Sequence, residues 1–233
     1  MRKLWLLIAL AGWIACGEAD KDKDPQDLPP SISADSTAAF PQVDTFLSAE
    51  TFRFFNNSGY TDFNQKFVSG FDWSNFKLVN VWKEDSMLVQ PFLPEADYFE
   101  RYGRFLKYSP DSSMFIDLDS YNIDIRKDGN RWTGTENGPD MEISLIDREE
   151  KEKIRLVFTG PGGSIEDGGW IDNETLVLTG FQELGRSDSL AAIVYKFHLP
   201  SQTYFLYEME EAGDARKIMG SWRRERLKDV QIR

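Results

Sequence analysis

Between residues 77 and 210 apolar and polar positions alternate in short runs. Lys77 to Trp82 places Leu78, Asn80 and Trp82 on one face and Val79 and Val81 on the other, the two-residue period of a strand. Further short runs follow at Met87 to Phe92, Arg104 to Tyr108, Met114 to Leu118, Tyr121 to Arg126, Met141 to Ile146, Ile154 to Phe158, Glu174 to Gly180, Ala191 to Leu199 and Tyr204 to Met209. Turn formers separate them: Ser109-Pro110-Asp111, Lys127-Asp128-Gly129-Asn130, Asn137-Gly138-Pro139 and Gly160 to Gly163. Short strands at this spacing predict a sandwich, a barrel or a propeller-type sheet. Helical pattern is sparse. Phe46 to Phe55 predicts a short helix ended by Asn56-Asn57-Ser58-Gly59. Glu95 to Arg101 reads as one helical turn, Tyr60 to Phe76 as loops with aromatic anchors, and Arg216 to Arg233 as a basic tail with a short strand or helix.

A weak repeat runs through this pattern. Tyr108-Ser-Pro-Asp-Ser-Ser-Met-Phe-Ile parallels Trp170-Ile-Asp-Asn-Glu-Thr-Leu-Val-Leu: an aromatic residue, a polar turn, then a strand. From about Tyr102 to Glu210 the chain resembles blades of WD40-like or TolB-like β-propellers. Two such units, or three counting Leu78 to Phe92, fall short of the four or more blades of a ring. The expectation is therefore an all-β fold of antiparallel blade-like sheets (partial propeller, sandwich or open barrel) with little helix.

The N-terminus has a different texture. Arg2 and Lys3 precede the apolar Leu4 to Leu10, and small residues lead to Cys16. A short charge followed by a short apolar core is the pattern of a secretory signal peptide, and Leu4 to Cys16 is shorter than the roughly 20 residues a spanning helix needs. Ile14-Ala15-Cys16-Gly17 resembles the lipobox of bacterial lipoproteins, with Trp13 where that family has an aliphatic residue. The resemblance implies removal of residues 1–15, lipidation (palmitate included) of Cys16, and anchoring to the outer membrane. Cys16 is the only cysteine in the chain, so no intrachain disulfide is available and stability rests on the core. From Gly17 to Pro41 the chain is rich in Asp, Pro and Ser, the composition of a disordered tether. Its acidic start (Glu18, Asp20, Asp22, Asp24) resembles the export signals of surface lipoproteins and reads equally as a solvated linker. Residues 42–233 form the expected single β-rich domain.

Charge narrows the partners. The formal net charge of −12 over 233 residues repels phosphate backbones, so nucleic acid is not an expected partner. Membrane association would come from the lipid, leaving an unknown protein or glycan as the further partner.

Candidate chemistry is thin. His198 is the only histidine and stands beside Lys196 on the more polar face of its run; it reads as a surface residue. With no second cysteine and no G-x-S-x-G elbow, nucleophilic catalysis is not supported, and neither a zinc site nor a cofactor is expected. Asp117, Asp119 and Asp124 share Asp-x-Asp spacing with calcium loops but lack the glycine and the closing glutamate, so they read as a solvated acidic edge, with a loop calcium site as the alternative. Gly160 to Gly163 and Gly168-Gly169 read as turns between strands. Trp73, Trp82, Trp132, Trp170 and Trp222 read mainly as core, with Trp132 in a polar loop (Gly129 to Gly134) as the best surface aromatic for stacking on a sugar. Asn56 and Asn173 open glycosylation sequons, which carry little meaning in a bacterial lipoprotein. The reading is a lipid-anchored envelope protein with a β-rich binding or scaffolding domain, with no catalytic residues assigned. The alternative is a hydrolase acting on a glycan through carboxylates.

Overall fold

The computed structural model describes residues 43–184, 190–210 and 215–233. The leader, Cys16 and the tether lie outside them. The chain opens with helices α1 (Ala49–Ser58) and α2 (Tyr60–Phe67) and a 3-10 turn at Trp73–Asn75, followed by strands β1 (Lys77–Lys83) and β2 (Val89–Pro91) and helix α3 (Tyr98–Tyr102). Then come β3 (Lys107–Tyr108), β4 (Met114–Asp117), β5 (Ile123–Asp128), β6 (Arg131–Glu136), β7 (Met141–Asp147) and β8 (Glu152–Thr159). The last part holds β9 (Gly163–Trp170), β10 (Thr175–Glu183), β11 (Leu190–His198), β12 (Thr203–Met209), α4 (Ala215–Ile218), α5 (Ser221–Arg226) and β13 (Val230–Ile232). The fold is all-β with little helix.

Among the described residues three sheets result: an inner one in the order β1-β12-β11-β10-β9, an outer one in the order β2-β8-β7-β4-β3, and a small one in the order β13-β6-β5. Pairing is antiparallel except between β13 and β6. The inner and outer sheets share a plan. Each is a four-stranded meander to which an earlier strand adds itself, pairing with the last strand of that meander. The aromatic-turn-strand repeat corresponds to the hairpins β9–β10 and β3–β4. Their turns meet: Asp111 N–H donates to Asn173 Oδ1 at 3.0 Å.

The central strands β10 and β11 of the inner sheet are buried on both faces over most of their length. Leu176, Leu178, Ile193 and Phe197 face the outer sheet and share a core with Ile116, Ile143 and Leu145. Val177, Ala192, Val194 and Tyr207 face the helices and share a core with Phe55, Tyr60 and Trp73. That is why β10 and β11 read as near-continuous apolar runs rather than strict alternation. A third core, including Phe115, Ile146, Tyr98, Tyr102, Ile123 and Val230, joins the outer sheet to α3 and the small sheet.

Tyr60 to Phe76, expected as loops, holds α2 and the 3-10 turn. The buried face of α2 carries Tyr60, Thr61 and Asn64, so hydropathy shows no helical stripe. Most of the polar groups are bonded locally: Trp73 Nε1 donates to Thr61 Oγ1 at 2.9 Å, and Asn64 Nδ2 donates to the Tyr60 carbonyl, while Asn64 Oδ1 is buried without a hydrogen-bond partner. Gly59, at φ 82°, ends α1 and begins α2 in a left-handed conformation.

Gly168 and Gly169, expected as turn residues, lie inside β9 and are buried. A Cβ on Gly169 would overlap the Phe54 ring, and one on Gly180, across the ladder, would overlap the Ser164 carbonyl. The glycines let helix α1 and strand β9 approach the sheet backbone. Trp132 is also corrected. It lies in β6, half-buried against the third core, with the Arg104 guanidinium over its ring.

These contacts predict that Gly180→Ala lowers unfolding free energy by about 1–3 kcal/mol, the usual cost of overpacking. Gly160→Ala, whose nearest neighbour to a new Cβ is 3.8 Å away, should change it by under about 0.5 kcal/mol. Urea denaturation of the two variants checks the contrast.

Candidate functional site

The outer face of the outer sheet is apolar at one end, where Phe115 and Ile146 are covered, and polar at the other. Asp117 ends β4 opposite Ser144. Lys153 of β8 stands opposite Gln90 of β2. Helix α3 and the β5–β6 hairpin stand over this polar end and border an open cleft of about 560 Å³. The segment Gln90 to Glu95 forms one wall, α3 and β5 supply Tyr98, Arg101, Tyr102, Asp124 and Arg126, and Asp117, Ser120, Asn137 and Lys153 complete the lining.

Charged groups in the cleft are paired before anything enters it. Asp124 holds Arg101 at 3.2 Å and Arg126 at 2.7 Å. Arg101 also reaches Asp97 at 3.0 Å and pairs with Glu95. Lys153 and Arg155 converge on Glu142, at 2.9 and 2.6 Å. Asp117 accepts four hydrogen bonds: from the backbone N–H of Asp119 and of Ser120, from the Ser120 hydroxyl, and from the Tyr98 hydroxyl at 2.6 Å. Burial, and then the Asp117 carboxylate beside it, push the Tyr98 hydroxyl well above its ordinary range, so it stays a donor. Tyr102 ties α3 to the hairpin, its hydroxyl donating to the Ile123 carbonyl at 2.8 Å and accepting from Ile125 N–H at 3.2 Å.

Behind the cleft lies a second polar set. Glu166 is fully buried and is the extra residue of a bulge in β9, between Ile165 and Asp167 of the ladder. The bulge turns its carboxylate toward the C-terminal segment. There it accepts from the Ser164 hydroxyl at 2.6 Å, from Gly220 N–H, and from Arg223 N–H at 3.1 Å. Arg226 donates to the Glu166 carbonyl and grips Asp119 with both terminal nitrogens, at 2.9 and 2.8 Å. Burial alone lowers the affinity of Arg226 for its proton, but Asp119, Asp167 and Glu166 outweigh that and raise it.

The acidic residues singled out in the sequence therefore do not form a solvated edge. Asp117 and Asp119 are only 5% and 2% exposed, and Asp124 is half-buried. Each serves a different partner: Tyr98 and a turn, Arg226, and the Arg101–Arg126 pair. Among the described residues no group of three or more His, Cys, Asp or Glu side chains is arranged to hold a metal ion. His198, expected at the surface, is partly buried at the β11–β12 turn. Its Nδ1 lies 2.8 Å from Ser201 Oγ, and Ser201 donates onward to Thr203. These are bonds within one tight turn, and neither His198 nor Ser201 lines the cleft. Trp73, Trp170 and Trp222 are buried, and Trp82 stacks on Tyr204 at 5.0 Å. No tryptophan is among the described residues that line the cleft. Arg101, Lys153, Glu142 and Arg226 escaped the sequence reading, since they converge from elements far apart in the chain with no shared motif.

In comparisons with known proteins, no family model, no curated protein and no solved structure matches this chain.

Two predictions follow from the pairings. Removing one partner of a buried ion pair leaves the other charge stranded, at a cost of about 3–5 kcal/mol. Arg226→Met should lose that much, and Asp119→Asn combined with Arg226→Met should lose less than the two single variants added together. A double-mutant cycle by urea unfolding measures the difference. Glu142 gives the pH dependence. Burial pushes its carboxyl up, but the bonds and charges of Lys153 and Arg155 outweigh this and hold it below the ordinary range. The unfolded chain therefore binds this proton more tightly. The stabilisation is complete above about pH 4.3, the unfolded value, and is lost as pH falls through the lowered folded value. Glu142→Gln should lower the urea midpoint at neutral pH and flatten its decline in acid.

Proposed function

We propose that this chain is a lipid-anchored protein of the cell envelope, attached through Cys16, whose β-rich domain binds a partner in the cleft under α3. The observation that carries the binding reading is the saturation of the two carboxylates on the cleft floor. Asp117 accepts four hydrogen bonds and Asp124 holds two guanidinium groups. A glycosidic mechanism needs one carboxyl free to give a proton and another free to attack or to activate water. A surface of mutually held polar groups, set in place beforehand, instead suits recognition, because little side-chain ordering remains to be done on binding. The anchor reading rests on the lipobox-like Ile14-Ala15-Cys16-Gly17 and the singleness of the cysteine.

Both parts are testable on the native protein. Intact mass of the membrane-fraction protein should show a chain beginning at Cys16 with added acyl mass. Cys16→Ser should abolish that mass. A cleaved chain without lipid would overturn the anchor. For the cleft, Gln90→Cys places a thiol on an exposed lining residue. Maleimide should label it at least several-fold more slowly in isolated envelopes than in the purified protein. Equal rates would remove the cleft as the binding site.

A further inference from the structure

We infer that the cleft takes a neutral, hydroxyl-rich ligand, a saccharide, rather than an anion or an apolar molecule. This rests on reading the cleft as the binding site. The lining holds the cations Arg101, Arg126 and Lys153 and the anions Glu95, Asp117 and Asp124. Each cation already has a carboxylate partner, at 2.7 Å for Arg126 and 2.9 Å for Lys153, and with more than one partner for Arg101. An anionic ligand would have to draw a cation from these pairs, leaving Asp124 with one of its two guanidinium partners or Glu142 with Arg155 alone. For Glu142, whose side chain is only 4% exposed, losing one of its two cations is the costlier outcome. An apolar ligand would strip water from these groups and return nothing.

A hydroxyl differs from both, because it donates and accepts at one atom. It can take a hydrogen bond from a guanidinium and give one to the neighbouring carboxylate with the pair still in place. The Asp124–Arg126 and Asp124–Arg101 pairs present such donor–acceptor edges side by side. The lip adds the other half of a sugar's chemistry. Leu93 is 86% exposed and stands between Pro91 and Pro94, in a wall stiffened by the two fixed φ angles. It belongs to none of the three cores. Beside it Phe92 is half-buried against Tyr98, with ring centroids 5.4 Å apart. A pyranose has a C–H face for this lip and hydroxyls for the floor. The 560 Å³ volume lies within the range of small-ligand sites.

The test uses the full lipidated protein in a zwitterionic detergent, since a sugar-headed one would compete. A glycan array carrying neutral, uronic-acid and phosphorylated oligosaccharides is probed first, and the best neutral glycan is then titrated. Binding should be confined to neutral glycans and stay within about twofold when salt is raised from about 0.05 to 0.5 M, since there is no net ligand charge to screen. Leu93→Ser and Arg126→Gln, both at exposed side chains, should keep the wild-type unfolding midpoint and weaken binding at least tenfold. Preference for acidic or phosphorylated glycans, no binding to any glycan, or equal binding by both variants would overturn the inference. The envelope labelling of Gln90→Cys separates the two levels. Protection there with an empty array removes only the ligand class, whereas no protection removes the binding reading with it.

Discussion

A carboxylate shut away from water holds the layers in register. Glu166 is fully buried in the β9 bulge, and its oxygens receive the backbone of the C-terminal segment at Gly220 and Arg223. The same segment sends Arg226 back to the Glu166 carbonyl and to Asp119, beyond the end of β4. Three separate regions thus meet on one set of buried charges. Such a set adds little net stability compared with apolar packing, but it cannot lose a member cheaply. It therefore acts as a constraint on arrangement. The cleft depends on it: α5 leads into β13, β13 pairs with β6, and β6 carries the β5 strand that supplies Asp124 and Arg126.

The two large sheets solve the same problem twice. Each meander ends on a strand that needs a neighbour, and in each case an earlier strand takes the place. β1 is seven residues long and exposes Val79 at a bulge, with Lys77 and Lys83 at its ends. β2 is three residues long and ends in Pro91. Charged ends, bulges, proline and shortness are the usual protections of a sheet edge against pairing with other chains. The insertion of the β5–β6 hairpin between β4 and β7 is what distinguishes the outer sheet from the inner one. That hairpin and α3 turn a plain sheet face into a cleft.

The cleft is also set apart from the cores by its chemistry. Its aromatic residues Tyr98 and Tyr102 direct their rings into the third core and their hydroxyls to Asp117 and to the β5 backbone. One helical turn therefore serves packing and polar positioning together. The net charge of −12 is not concentrated here, where cations and carboxylates balance. On the proposed reading, recognition at this place is a matter of hydrogen-bond geometry more than of long-range attraction.

Short apolar or alternating runs set between turn formers located most of the strands, because burial of one or both sheet faces imposes them. The pattern failed where the cause of the strand lies elsewhere. Arg131–Glu136 carries polar residues, and it is extended because β5 and β13 flank it on both sides. Gly163–Trp170 carries glycines and acids, and it is a strand because helix α1 and the β10 backbone approach too closely for a Cβ. The expected leader and tether rest on composition in a short window and lie outside the described residues. The fate of the acidic residues is not local. Asp117, Asp119 and Asp124 look alike within eight positions of sequence, yet one receives a tyrosine from α3, one an arginine from the C-terminal helix, and one a guanidinium pair. Which charge is buried, and against what, is decided by partners far along the chain, and only the packed layers bring those partners within hydrogen-bonding distance.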